Sequence, residues 1–306
     1  MKKTLSGILL RSRRSEFGEK IFYVDKGRRH WVRDSEWLIK NGFERPTDVI
    51  EVQPEILYGF VNAGIAPLRQ TSDLGRPNLS SIDLREIAAC NLYGTGMEFG
   101  AGAQPFPVPL HCNVLFADPF SYESLLALMY PGQTVYDLIR PDYVTDIKTL
   151  AGIGDSSLDF IVACHVIEHT NNPIGAIASC YRALKPGGSL VLVVPDMTKT
   201  FDSKREPTSL AHLIEDDRNP SLERDRRHYE EFYTKAFTLP EGIDPVDYAF
   251  KKQVEGGDIH YHAWTYETFS ELVEWCTSDG KWNIAFSHET LQGKDNIEFY
   301  FTLVKK

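Results

Sequence analysis

Short apolar runs separated by helix-like stretches fill residues 82–196, and they restrict the fold more than any other feature of the chain. The runs fall at 96–99, 113–117, 143–147, 158–164 and 189–194. The run over 158–164 is almost wholly apolar, as a strand covered on both faces must be. Helical patterns lie over 82–92, 122–129 and 174–184. Strand and helix in alternation predict an α/β fold, a doubly wound sheet. Further on, a helix over 266–276 sets Phe269, Leu272, Val273 and Cys276 on one face, and strands are expected at 282–288 and 297–304. Between these parts, residues 197–263 are polar and helical in places, with no strand pattern.

The front of the chain reads differently. Runs at 20–24 and 29–32 flank Asp25-Lys26-Gly27, which predicts a β-hairpin. Asp34-Ser35-Glu36 offers an N-cap before Trp37, Leu38 and Ile39, and Gly42 a stop. Residues 71–81, with Gly75-Arg76-Pro77-Asn78, read as a linker. We therefore expect a module over 1–80 and a larger domain over 81–306. The basic stretches at 2–14 and 224–227 read as a solvated tail and a solvated helix face.

The first strand of the sheet ends on Glu98-Phe99-Gly100-Ala101-Gly102-Ala103. Glycines there let a backbone pass close to a nucleotide, where a Cβ would collide. Asp118 follows the second strand, beside the same crevice, and a carboxylate there can accept both hydroxyl hydrogens of a ribose. Asp146, near the end of the third strand, is placed to receive an adenine amino group. In Leu184-Lys185-Pro186-Gly187-Gly188 a helix is expected to end on glycine just before a strand. A dehydrogenase also uses a glycine turn at this place, but its third glycine would fall on Pro105.

This ordered set resembles the small-molecule class I S-adenosylmethionine-dependent methyltransferases. The segments that carry it are 98–102, Asp118, Asp146-Ile147, 158–169 with His165-Val166-Ile167-Glu168-His169, and 182–188. The resemblance implies a Rossmann-like seven-stranded sheet in the order 3-2-1-4-5-7-6, the seventh strand antiparallel, with S-adenosylmethionine as cofactor. It implies that Gly100 and Gly102, flanked by Phe99 and Ala101, line the methionine part and that Glu98 supports their loop. Asp118 would hold the ribose, Asp146 and Ile147 would border adenine, and His165 would flank the sulfonium. Pro105 and Pro107 depart from the family, which starts a helix there; that helix is expected to begin late or be distorted. The layout also resembles methyltransferases of bacterial surface-polysaccharide synthesis.

The acceptor side falls to the segments after the fourth and fifth strands, with 197–263 as a cap. A hydroxyl acceptor benefits from a general base, and His169, His228, His260 and His262 are the candidates. An imidazole of ordinary pKa, near 6.5, is mostly neutral at cytoplasmic pH, and a nearby sulfonium favours that form further. His165-x-x-Glu168-His169 matches an inverted zinc-peptidase string, but it follows a strand and meets Asn171-Asn172-Pro173. Asp258-x-His260-x-His262 alternates onto one side of an extended segment and also suits a metal, although solvated or hydrogen-bonded side chains fit it better. No metal is assigned. Histidines and aromatics together suggest a polar pocket with stacking faces, so a glycan or nucleotide-sugar hydroxyl is the first acceptor. A quinone or lipid-like molecule is the second, and a non-catalytic cofactor-binding module the third reading.

Charge narrows the partners. Asp and Glu outnumber Lys and Arg, 43 to 33, for a net charge of -10, and such a surface repels phosphate backbones, which argues against nucleic acid. No apolar run approaches the ~20 residues that span a bilayer, and the basic, short apolar start lacks a cleavage site. Of the cysteines, Cys90, Cys112, Cys164, Cys180 and Cys276, none form C-x-x-C; they read as reduced thiols of a cytoplasmic protein.

Overall fold

In the computed structural model, the residues described are 8–13, 20–25, 28–32, 37–38, 49–52, 61–65, 81–109, 112–129, 131, 138–293 and 296–306. The cap at Asp34-Ser35-Glu36, the stop at Gly42, the turn at Lys26-Gly27 and the linker up to residue 80 lie outside them.

A seven-stranded sheet is built from β6 (Thr95–Phe99), β7 (Asn113–Asp118), β8 (Tyr143–Val144), β9 (Leu158–Cys164), β10 (Leu184–Pro195), β11 (Trp282–His288) and β12 (Glu298–Lys305). Its order is β8-β7-β6-β9-β10-β12-β11, the expected 3-2-1-4-5-7-6. β12 pairs antiparallel with both neighbours, while β6, β7, β8, β9 and β10 pair in parallel. β9 and β10 are the middle of the core: Phe160, Ile161, Val162, Ala163 and residues 190–194 are fully buried. Their unbroken apolar runs follow from that, because each face meets helices.

Among the described residues, the helices of this part of the chain start with α1 (Ser81–Ala89), α2 (Tyr122–Met129), α3 (Pro173–Ala183), α4 (Leu210–Arg218) and α5 (Leu222–Glu231). α6 (Pro245–Glu255) and α7 (Tyr266–Thr277) follow. α3 starts where Asn172 accepts the Gly175 amide at 2.7 Å and Pro173 fixes the first turn, an N-cap with proline at N1. It ends at Ala183, and the expected glycine stop is not used. Instead Lys185-Pro186-Gly187-Gly188 bulges within β10, whose register with β9 shifts between Leu184 and Ser189. Asp159 pins this bulge, its Oδ2 accepting Lys185 Nζ at 2.8 Å and the Thr95 amide at 2.9 Å.

The front module holds a second sheet, ordered β4-β1-β2-β3-β5, from β1 (Ile8–Arg11), β2 (Ile21–Asp25), β3 (Arg28–Val32), β4 (Val49–Glu51) and β5 (Val61–Ile65). β2 and β3 form the expected hairpin. Residues 8–11, read from the sequence as part of a solvated tail, are instead a strand between β2 and β4. Leu9 and Leu10 are buried on its two faces, Leu9 against Trp37 and Leu38, Leu10 against Phe22. The flanking basic residues hid this strand, because their charges outweigh three apolar positions in any composition window.

Candidate active site

The ends of β6, β7 and β9 open into one cavity of about 380 Å³, within the roughly 300–1,000 Å³ usual for small-molecule sites. Phe99, Gly100, Gly102, Asp118, Asp146, Ile147, His165 and His169 all line it.

The glycine loop is shaped by backbone. Gly100 and Gly102 have φ of +64° and +53°, which a side chain resists. A Cβ on Gly100 would also come within 2.9 Å of Val166 Cγ2. Ala101 sits half-buried at the turn, its carbonyl accepting the Gln104 amide. Glu98 is buried beneath, and its Oε1 accepts the Phe106 amide at 2.7 Å. Burial lifts its pKa to about 8 against the opposing Phe106 bond and the charge of Arg85, so this carboxyl is a neutral strut of the loop. The helix expected after the loop is absent: residues 101–109 are irregular. Pro105 and Pro107 remove two amide donors a helix would need, and Phe106, 3% exposed, packs with Leu84 and Ala88 of α1 in its stead.

Asp118 is 7% exposed and its Oδ1 accepts the Phe120 amide at 2.9 Å. Burial raises its pKa to about 6, the Phe120 bond opposes, and the charge of Asp258 raises it further. Asp146 lies 3.5 Å from Lys148 Nζ and its Oδ1 accepts the Lys148 amide. His165 adopts φ +54°, a left-handed conformation that is strained for a non-glycine residue. Its Nε2 donates to Glu298 Oε2 at 2.9 Å, and Arg85 clamps the same carboxylate at 2.8 and 2.6 Å. Glu298 and Arg85 escaped sequence reading because they come from 133 residues after His165 and 80 before it along the chain.

The other wall comes from the segment 197–263, expected to be a cap: Tyr229, Gly256, Gly257, Asp258 and Tyr261. His169 stands against it, Nδ1 donating to Asp258 Oδ1 at 2.8 Å. Burial disfavours its cation, but the Asp258 bond and the charges of Glu168, Asp258 and Asp202 outweigh burial and lift the pKa to about 9. The expectation of an ordinary, mostly neutral imidazole therefore fails at His169, because three carboxylates surround it. Nor does His169 cap the next helix; Asn172 does.

The remaining candidate bases lie off the cavity lining. The His260 ring packs on His169 and Phe201, both at 4.7 Å, and donates to Asp202 at 2.6 Å. His228 and His262 are buried away from the cavity, with ring centroids 4.9 Å apart. Asp258 accepts from His169, His260 packs on that same ring but bonds Asp202, and His262 lies apart, so the one-sided metal motif read from their alternation does not form. His165 turns to Glu298 and His169 to Asp258, so the two histidines of the zinc-peptidase string do not converge, although Glu168, His169 and His260 lie together.

Behind the cap wall, Arg205 is 5% exposed. It donates to Asp202 at 2.9 Å and to the carbonyls of His260 and Tyr261, both at 2.9 Å. The amides of Tyr261 and His262 both point to the Glu168 carbonyl, at 2.8 and 3.4 Å. Among the described residues, no helix is long and apolar enough to cross a membrane.

Residues 111–192 match the family described as Methyltransferase domain. Solved structures similar to the chain include a SAM-dependent methyltransferase from Methanosarcina mazei, at 19% identity over 74% of this chain and 98% of that one, TM-score 0.39. Another comes from Mesorhizobium loti, at 13% identity over 72% and 96%, TM-score 0.41. A third is from Thermotoga maritima, at 18% identity over 73% and 89%, TM-score 0.38. No curated protein sequence matches the chain. The matched domain and the Rossmann-like sheet are those of an S-adenosylmethionine-dependent methyltransferase, and S-adenosylmethionine is its cofactor.

Proposed function

We propose that the chain transfers the methyl group of S-adenosylmethionine to a hydroxyl of a polar small molecule, a glycan or nucleotide-sugar first. Residues 81–306 are the catalytic domain in this reading, 197–263 its cap and 1–80 an accessory module.

The observation that carries it is the His169–Asp258 pair in the cap-side wall of the cavity that the glycine loop also lines. The residues present fit the cofactor. Gly100 and Gly102 offer backbone without side chains, Asp118 a carboxylate for the ribose, Asp146 and Ile147 a polar and an apolar border for adenine. On the lining Asp118, Asp146 and Asp258 outnumber Lys148 and the His169 imidazolium, three to two, a small surplus that suits a cationic ligand. When bound, the cofactor supplies an electrophilic methyl carbon. The protein positions the acceptor in line and excludes water. Tyr229 and Tyr261 give the acceptor a flat face and a hydroxyl edge, as a sugar ring requires. His169 holds Asp258 through Nδ1, which leaves Nε2 to take the acceptor's proton after the imidazolium has lost its own.

A quinone or lipid-like acceptor is the second reading, favoured by Phe120, Leu125, Met129 and Leu138 along the same cavity. The test is methyl transfer from labelled cofactor to a panel of nucleotide-sugars, glycans, quinones and lipid-like phenols. Product is expected in the saccharide arm, and His169→Ala should reduce it by roughly 10²–10⁴-fold. Product in the quinone arm alone rejects the saccharide. Cofactor binding by calorimetry with no product in any arm rejects catalysis and leaves a binding module.

A further inference from the structure

Behind the cap wall, away from the cavity lining, three histidines and one carboxylate meet. α4 presents His212 and Asp216 one turn apart, on one face. α5 adds His228, and the extended segment before α7 adds His262. One ligand atom from each lies within 4.8 Å of all the others. From Asp216 Oδ2, the Nε2 atoms of His212, His228 and His262 are 3.0, 3.4 and 3.8 Å away. Four ligands at ~2.0–2.1 Å from a tetrahedral zinc ion stand about 3.3 Å from one another, and the observed spacings bracket that value.

The polar atoms point the same way. His262 is 0% exposed, Asp216 4% and His228 4%. Both ring nitrogens of His262, and Asp216 Oδ2, have no hydrogen-bond partner. Oδ2 is close to the three imidazoles, yet no N–H is aligned on it. Buried polar atoms left so are costly, and an ion at the common centre would satisfy four atoms at once. The outer contacts already orient the ligands. His228 Nδ1 donates to the Tyr261 carbonyl at 3.0 Å, which leaves the Nε2 lone pair facing inward, the usual arrangement of a ligating histidine. Arg224 holds Asp216 Oδ1 from Nε at 2.7 Å and Nη2 at 2.6 Å, which turns Oδ2 to the centre.

We infer that His212, Asp216, His228 and His262 form a structural site for a divalent transition metal, zinc foremost. Three imidazoles and a single carboxylate suit zinc; magnesium and calcium want six or more oxygens. Four protein ligands close the tetrahedron, which marks a structural and not a catalytic ion. The side chain of His212 is 43% exposed, so an ion can enter. Bound there, it ties α4, α5 and the segment carrying Tyr261 into one unit. Tyr229 and Tyr261, each next to a ligand in sequence, are thereby held in the cavity wall.

The experiment needs no methyl acceptor and no cofactor, so its result is independent of the reading above. The full chain is stripped with chelator, titrated with zinc alone, and its metal content measured by mass spectrometry; cobalt is then substituted. One zinc per chain, an intense visible cobalt spectrum of tetrahedral type, and a melting temperature raised by zinc but not by magnesium are expected. His212→Gln, at a half-exposed position that leaves the fold intact, should weaken zinc binding 10-fold or more and remove the rise in melting temperature; Asp216→Asn should do so more strongly if it folds. Absence of stoichiometric zinc, or zinc bound equally well by His212→Gln, overturns the site.

Discussion

At Asp118 and His169 the surroundings decide which proton form a side chain holds. Asp118, the proposed ribose acceptor, is a carboxylate only above its pKa of about 6. Cofactor affinity, measured by calorimetry, should therefore hold from pH 8 to 7 and weaken as pH falls through 6. Asp118→Ala should weaken it at pH 7.5 by about 1.5–3 kcal/mol, the worth of a charge-assisted hydrogen bond. Affinity equal to wild type would place the cofactor elsewhere. His169 works in the opposite direction. Its imidazolium is retained up to about pH 9, so the basic form, and with it kcat/KM, should rise with pH toward that value in the free enzyme. Asp258→Asn removes the largest stabiliser of the cation, and the profile should then shift to lower pH; an unchanged profile would exclude His169 as the base. From the sequence, the position of His169 at the crevice was legible because it follows a strong strand. Its protonation was not, since Asp258 and Asp202 arrive from the cap, 89 and 33 residues further on.

Individual elements were legible in proportion to how far local pattern governs them. β9, α2 and β11 fall where their apolar periodicity puts them, and α7 differs by one residue. β8, expected over 143–147, keeps only Tyr143 and Val144, because an edge strand with one neighbour has little to hold its last residues. The glycines of β10 misled, since a bulge and a helix stop use the same residue types. Asn172-Pro173, read as an interruption, proves to be a helix start. Asn172→Ala should cost about 1 kcal/mol of stability, within the 0.5–2 kcal/mol range for lost N-caps, as read by denaturant unfolding. A change below 0.3 kcal/mol would mean that the tertiary contacts of α3 alone set its start. The four-residue cluster of His212, Asp216, His228 and His262 had no sequence signature, because only its first pair shares an element.

Taken as one molecule, the chain is a conventional sheet whose distinctive part is the polar segment 197–263, the proposed cap, fastened by buried charge. Arg205 is the main fastener, with Asp202 beside it and Glu231 at 3.3 Å. Removing one partner of a buried pair typically costs 3–5 kcal/mol, so Arg205→Ala should lower stability by about that amount and loosen the cap before the sheet. Chemical denaturation followed by hydrogen exchange would separate the two. Loss confined to the sheet, with the cap unaffected, would contradict this assignment.

Those same fastenings have a consequence for traffic. The segment that carries Asp258 and Tyr261 is held by its own main chain: to Glu168 through two amides, to Arg205 through two carbonyls, to the Tyr229 hydroxyl through the Gly257 carbonyl at 2.6 Å. It is a fixed wall and not a lid. The Tyr261 amide should exchange with deuterium on the slow timescale of β9 and β10. With that wall fixed, we expect ligands to come and go past Leu125 and Met129 of α2, which line the cavity and where Met129 is 55% exposed. A bulky residue there would slow the arrival and departure of both cofactor and product while leaving the His169–Asp258 pair untouched.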